Sequence, residues 1–233
     1  MPENEKPTLT ERLLGVIYPP RCVLCHRLLP AGSFWGLCEL CRFEDYLHPQ
    51  PQMEGGRCSF IYEGDMQQVI YRLKYKELKQ YARYMARWMA AEGGKWAAAQ
   101  HFTRLCAVPL AKEKMKSRGF NQAQLIAQEL ARLLQIPYSP LLERVYSTKA
   151  QSGLSKLRRR QNLQGAFAAA PLKEKVTGAG HTICIIDDIY TTGATVEACR
   201  SALLERYPQA RVIFWVFSMR RLPGTQTQSL SKF

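Results

Sequence analysis

Nowhere do about 18 apolar residues run uninterrupted, the length a membrane-crossing helix needs. The first residues, MPENEKPTLTER, lack the basic-then-apolar layout of a secretory signal. Both absences set aside the membrane-spanning and secreted classes, and a cytoplasmic chain is expected. Two phosphate-binding signatures are missing as well: there is no Gly-Lys-Ser/Thr of a P-loop and no G-x-G-x-x-G dinucleotide fingerprint. Acidic residues are scarce, with 19 Asp+Glu against 33 Lys+Arg and a formal net charge of +14. What is present, 46% hydrophobic and 22% charged residues over 233 positions, belongs to a globular chain and not a disordered one. That length suits one large domain, or one domain with a small module attached.

The positive charge is concentrated. Residues 61–180 carry 21 basic and 8 acidic groups, so nearly all of the excess lies in the middle of the chain. Such a stretch raises the local concentration of anions, whether nucleic acid or phosphate-rich metabolite, though a solvated basic surface has the same composition. The eight cysteines are uneven too. Cys22 and Cys25, then Cys38 and Cys41, form two C-x2-C pairs separated by twelve residues. A reducing compartment argues against disulfides. Two thiolate pairs on facing turns make a tetrahedral all-sulfur site, and zinc suits it. Four thiolates leave no open coordination position, so such a zinc is structural. His26 is a spare ligand at most, and Cys58, Cys106, Cys184 and Cys199 read as small buried apolar residues.

Thr10 to Ile17 has the pattern of a short capped amphipathic helix, stopped by Pro19-Pro20. His48 to Gly56, HPQPQMEGG, reads as a linker, which gives an N-terminal module over residues 1–50 and a main domain over 57–220. Residues 221–233 have loop composition and are expected to be disordered. In the main domain, RCSFIY predicts a strand and Asp65 a cap for the following helix, with Met66, Val69, Ile70 and Leu73 inward. A second helix, about Gln80 to Ala91, places Tyr81, Tyr84, Met85, Trp88 and Met89 on one side, which at that spacing means core more than a base-stacking surface. Leu105 to Val108 predicts a strand, followed by a basic loop, KEKMKSRGFNQ. Asn121 is expected to cap the next helix, with Leu125, Ile126, Leu130, Leu133 and Leu134 inward. A second basic stretch, Arg144 to Phe167, has the composition of a mobile lid.

The most informative stretch is TICIIDDIYTTGAT, Thr182 to Thr195. Ile183 to Ile186 predicts a parallel strand buried on both faces. Asp187 and Asp188 stand at its end, then Thr191, Thr192, Gly193, Ala194 and Thr195 lead into a helix. A turn at a helix amino terminus offers unpaired N–H groups and the positive end of the helix dipole, and Gly193 lets backbone approach a phosphate. The two carboxylates repel phosphate, so they suit a diol or a hydrated divalent cation.

IIDDIYTTGAT resembles the signature of type I phosphoribosyltransferases. Together with the four cysteines, FIYEGDMQQVIYRLKYK, VPLAKEKMKSRGFNQAQLIA and RVYSTKAQSGLSKLRRRQNLQGAF resemble the bacterial ComF family over residues from about Leu13 to Phe217. The resemblance implies a Rossmann-like parallel sheet flanked by helices, preceded by a zinc ribbon. It implies that Asp187 and Asp188 contact the ribose of phosphoribosyl pyrophosphate (PRPP), directly or through Mg2+, and that Thr191 to Thr195 grip its 5′-phosphate. The loop after Val108, with Arg118, would meet the pyrophosphate, and Arg144 to Phe167 would close over it. It also implies a role in natural transformation or nucleotide metabolism, with single-stranded DNA and DNA-uptake proteins as partners. Three roles stay open on the sequence: a phosphoribosyl transfer with an unnamed acceptor, a PRPP-sensing protein that binds single-stranded DNA, and a scaffold.

Overall fold

The computed structural model describes residues 19–30, 33, 35–41, 53–76, 78–145, 163, 165–171 and 180–220. The expected N-terminal helix, most of the linker and of the second basic stretch, and the C-terminal tail lie outside the described residues. Among the described residues no helix is long and apolar enough to cross a membrane.

In chain order the elements are β1 (Gly56–Ile61), α1 (Gly64–Tyr75), α2 (Gln80–Ala99), β2 (Arg104–Ala107), α3 (Lys112–Arg118), α4 (Gln122–Leu134), β3 (Leu142–Arg144), β4 (Phe167–Ala169), β5 (Thr182–Tyr190), α5 (Ala194–Arg206) and β6 (Arg211–Met219). A four-stranded sheet runs β1-β6-β5-β2 with every pairing parallel. β5 and β6 sit in the centre, which is why TICIIDDIY and RVIFWVFSM are apolar with almost no alternation: both faces are covered. On one face Cys184, Ile186, Ile213, Trp215 and Phe217 pack with α1, α2 and α4. On the other, Ile183, Ile185, Val212, Phe214 and Val216 pack with α5 and the short antiparallel ribbon β3–β4. The expected α/β architecture, helices on both sides of a parallel sheet, is the one found.

Several local expectations need correction. Asp65 does not cap α1: Glu63 is the cap residue, in extended backbone, and Asp65 sits in the first turn, where a carboxylate still favours the helix dipole. α2 does not stop near Ala91 but continues through Gly93 and Gly94 to Ala99. Gly93 survives inside the helix because the Trp215 indole lies against it; a Cβ there would stand 2.5 Å from Trp215 Cζ2. The basic segment after β2 is no loop. Lys112 to Arg118 form α3, ended by Gly119 at φ +74 in the left-handed region. β5 also outruns its predicted end at Ile186 and carries the acidic pair within the strand. The expected aromatic face of α2 is core, with Tyr81, Met85, Trp88 and Met89 buried. Cys58, Cys106, Cys184 and Cys199 are buried as small apolar groups. Burial pushes the Cys106 thiol up to about 12.

The cysteine module docks on α1 and α2. Val23 enters the main core, Arg72 of α1 donates to Val23 O, and Trp88 Nε1 donates to Trp35 O at 3.0 Å. Gly36, at φ +65, lies so close to the Tyr84 ring that a Cβ would come within 2.7 Å of it. Gly93→Ala tests the sheet-side packing. Helix propensity alone favours alanine by roughly 1 kcal/mol, whereas overpacking against Trp215 costs about 1–3 kcal/mol. The expected outcome is a lower denaturant midpoint, and a higher one would mean that the indole moves aside.

Candidate functional site

The site lies at the carboxyl edge of the sheet, where β5 outlasts its neighbour β2. The last β2–β5 pair is Ala107↔Ile186, with Val108 N donating to Ile186 O at 3.0 Å, while β6 accompanies β5 as far as Tyr190↔Met219. Asp187 to Tyr190 therefore extend beyond the β2 pairing, at the carboxyl edge where open α/β sheets bind ligands. Asn121 fixes the β2 side. It caps α4 by accepting from Ala123 N at 3.0 Å and Gln124 N, and its Nδ2 donates to Val108 O at 2.9 Å. That bond ties the start of α4 to the end of β2 and holds α3 over the edge between them.

Asp188 is 4% exposed, and its Oδ2 meets the ammonium of Lys74, from the last turn of α1. Asp187 is partly exposed and accepts the Asp188 backbone N–H on Oδ1 at 2.9 Å. Burial lifts the Asp187 carboxyl well above the usual range, and the neighbouring Asp188 charge lifts it further. Burial alone would raise Asp188 too, but the Lys74 ammonium outweighs it and holds Asp188 below the usual value. The pair thus carries one stabilised charge beside one carboxyl inclined to keep its proton.

Further cations gather around them. Lys114 of α3 is exposed, and its pKa is lowered first by desolvation and then by Arg118, Lys74 and Arg144. Arg118 is held in place by donation from Nη1 to Gln122 Oε1 at 2.6 Å, with its guanidinium 5.6 Å from the Tyr75 ring centre. Arg144, in β3, lies over Phe167 of β4 at 5.3 Å, so the ends of the second basic stretch are pinned by the ribbon. Its interior falls outside the described residues.

The turn follows directly. Gly193 is the N-cap of α5 at φ +77, and a Cβ there would fall 2.3 Å from the Tyr190 hydroxyl, so the position demands glycine. Tyr190 is itself fixed by stacking on Phe214 at 5.4 Å. Thr192 Oγ1 accepts from Ala194 N at 3.5 Å. Thr191 and Thr195, like Thr192, are partly exposed, while Gly193 and Ala194 are buried backbone of the turn. Asp187 and Asp188 at the end of β5, residues 191–195 at the turn into α5, and Arg118 at the end of α3 lie at the carboxyl side of the sheet. Lys74 and Tyr190 are additions to the expected set, whereas Lys114 lies in the basic segment expected to hold an anion. Lys74 had a signal: it continues the buried series Met66, Ile70 at four-residue steps, so a lysine lay on an apolar face.

The second cluster is sulfur. The Sγ atoms of Cys22, Cys25, Cys38 and Cys41 all lie within 4.8 Å of one another, with Cys25 and Cys38 at 3.4 Å. A tetrahedral zinc with Zn–S of about 2.3 Å places its sulfurs roughly 3.8 Å apart, so these four could bind a zinc ion. Each pair sits on a tight turn, closed by His26 N to Cys22 O at 3.0 Å and Cys41 N to Cys38 O at 3.0 Å. His26 does not join the group.

No family model matches the chain. Curated relatives do. The DNA utilization protein YhgH of Escherichia coli O157:H7 is 30% identical over 224 residues, covering 84% of this chain and 96% of the relative. Competence protein F of Haemophilus influenzae is 38% identical over 109 residues, 46% of each chain. Competence protein ComFC of Bacillus subtilis is 29% identical over 192 residues, 82% of this chain and 74% of its own. Among solved structures, an adenine phosphoribosyltransferase covers 65% of this chain and 75% of its own at 13% identity and a TM-score of 0.38, too loose a likeness to bear on the site.

The electrostatics of the acidic pair set a pH dependence. A carboxyl raised on folding, as Asp187 is, contributes stability below its unfolded value of about 3.9 and loses it as pH rises. One depressed on folding, as Asp188 is, contributes stability above that value and loses it as pH falls through its folded value. Asp187→Asn is therefore expected to raise the thermal midpoint at neutral pH, with the gain fading toward pH ~4. Asp188→Asn is expected to lower the midpoint at neutral pH. Melts across that range check both, and an Asp187→Asn protein less stable than wild type at neutral pH would contradict the assignment.

Proposed function

Since the chain belongs to the ComF family, we propose that it is a phosphoribosyltransferase-type protein of DNA utilisation that binds PRPP at the carboxyl edge of its sheet. One arrangement above all supports this reading: an acidic pair, a left-handed glycine turn and a helix amino terminus in immediate succession, under Lys74, Lys114, Arg118 and Arg144. In it, Asp188 accepts from a ribose hydroxyl, while Asp187 can donate or accept. The first-turn N–H groups of α5 and the hydroxyls of Thr191, Thr192 and Thr195 hold the 5′-phosphate. Lys114 and Arg118 face the pyrophosphate. Mg2+, when bound with PRPP, neutralises pyrophosphate charge as it departs. A transfer reaction here builds positive charge on the sugar, and the chain's part is to hold anions in place and exclude water. The four cysteines hold a structural zinc that keeps the module docked on α1 and α2, and the main domain begins after the linker that precedes β1.

A second reading, single-stranded DNA binding, is favoured by one surface. Tyr71 and Tyr75 are 49% and 64% exposed on the outer side of α1, with ring centres 5.1 Å apart and the Arg118 guanidinium against Tyr75. Exposed aromatic rings among cations are a stacking platform for unpaired bases.

The PRPP reading is tested by thermal unfolding with and without Mg2+–PRPP. Ligand at 100 times its Kd stabilises by about 2.7 kcal/mol, and Asp188→Asn should remove that shift. A wild-type protein indifferent to Mg2+–PRPP would sink the assignment. For DNA, fluorescence anisotropy with a labelled oligothymidine across a salt series separates two contributions. Tyr75→Ala should weaken binding about tenfold at every salt concentration without changing the slope, because stacking releases no counterions. Unchanged affinity would remove this surface from the DNA reading.

A further inference from the structure

We propose that Lys74 takes the place of a metal ion on the acidic pair, so that the site meets its sugar phosphate with Asp188 already neutralised by the chain itself. The identity of the ligand rests on the phosphoribosyl reading above; the role of the lysine does not.

The contact is made from inside the fold. Lys74 lies one turn beyond Ile70 and two beyond Met66 on the face of α1 turned to the core, and its side chain is 16% exposed. Its ammonium sits on Asp188 Oδ2, and the Asp188 side chain is 6% exposed. Among the other described cations, Lys114 of α3 feels the Asp188 charge through space without an ion pair to it being formed at contact distance. Arg118 is engaged by Gln122 and packed on Tyr75, and Arg144 is packed on Phe167. Among the described residues, the ion pair on Asp188 is made by Lys74.

Two cations do not share one buried carboxylate well. A second positive charge at contact distance is repelled strongly where water is excluded. Mg2+ adds a demand of its own: near-octahedral coordination with several retained waters. An ammonium needs no such shell and brings its own tether. With Lys74 in place, the carboxylate is held ionised and aimed as an acceptor for a sugar hydroxyl, and no divalent ion is needed on it. The metal requirement of the site then belongs to the pyrophosphate of the ligand, not to Asp187 and Asp188. Lys74 is thus a positioning residue, acting on the ribose through Asp188.

The test uses the full zinc-loaded chain and Mn2+ alone, followed by electron paramagnetic resonance, with no PRPP present. Wild type and Lys74→Arg should show no Mn2+ site that depends on Asp188. Lys74→Gln, which keeps a hydrogen bond to Asp188 but removes the charge, should tighten Mn2+ binding about tenfold or more to one ion per chain. The double variant Lys74→Gln/Asp188→Asn should lose it again. Two results would overturn the proposal: Mn2+ binding by wild type that Asp188→Asn abolishes, or a folded Lys74→Gln protein that gains no ion. Should Lys74→Gln not fold, the comparison of wild type with Asp188→Asn decides alone. Because PRPP takes no part, a protein that passes this test yet ignores Mg2+–PRPP would keep the lysine assignment and lose the ligand.

Discussion

The unequal length of two paired strands governs most of what this molecule presents at its edge. β2 ends at Ala107, opposite Ile186, while β5 runs on to Tyr190 beside β6. On the β6 side the central strand remains hydrogen-bonded to its last residue. On the β2 side the pairing has stopped, and the start of α4 is tied to the end of β2 by Asn121 donating to Val108 O and by the packing of Phe120 and Ala123 into the core. The four residues of β5 past Ile186 are therefore hydrogen-bonded on the β6 flank and unpaired on the other, with Asp187, Ile189 and Tyr190 partly exposed. An unpaired strand edge follows from that asymmetry, and so does the need to manage two carboxylates placed on it.

That management is electrostatic. Adjacent acids at the rim of an apolar sheet repel each other and lose hydration, and without a counter-charge both would drift toward the neutral form. Lys74 resolves the conflict for Asp188 and leaves Asp187 to bear the remaining cost. Binding residues held at such a cost are common where stability and function pull apart. The Gly193 turn adds a second constraint of the same kind. Its backbone is left-handed, and the Tyr190 hydroxyl fills the space a side chain would need. Asp187 and the Gly193 turn both sit at the carboxyl edge of the sheet.

Much of this was legible beforehand, for identifiable reasons. The four cysteines, the double acid and the Thr-Thr-Gly turn are chemical signatures whose residue types have few other uses in such order. Trp88 and Met89 were legible as core because helical spacing is a strong signal over a long element. The basic run after β2 was misread as a loop because its alternating lysines give no apolar stripe. Yet α3 buries no residue, so there was no stripe to find, and its helicity rests on local propensity and the Gly119 cap. The end of β5 was misplaced because charge was taken to end a strand, whereas Asp188 stays buried within it by pairing across the fold to α1. A contact between residues so far apart in sequence leaves only an indirect trace, a lysine in register with Met66 and Ile70.

The last turns of α1 join the two ends of the molecule that the sequence treats as separate. Arg72 reaches into the cysteine module and donates to Val23 O, while Lys74, two residues later, reaches the acidic pair. Tyr71 and Tyr75 stand on the outer side of the same turns. The module adds little core of its own beyond Val23, Leu24, Trp35 and Leu37, which pack into the main core. Its contacts with α1 run through Arg72, two residues from the Lys74 that pairs with Asp188. The four cysteines, which could bind a zinc ion, thus dock on the same helix that carries Lys74 to Asp188.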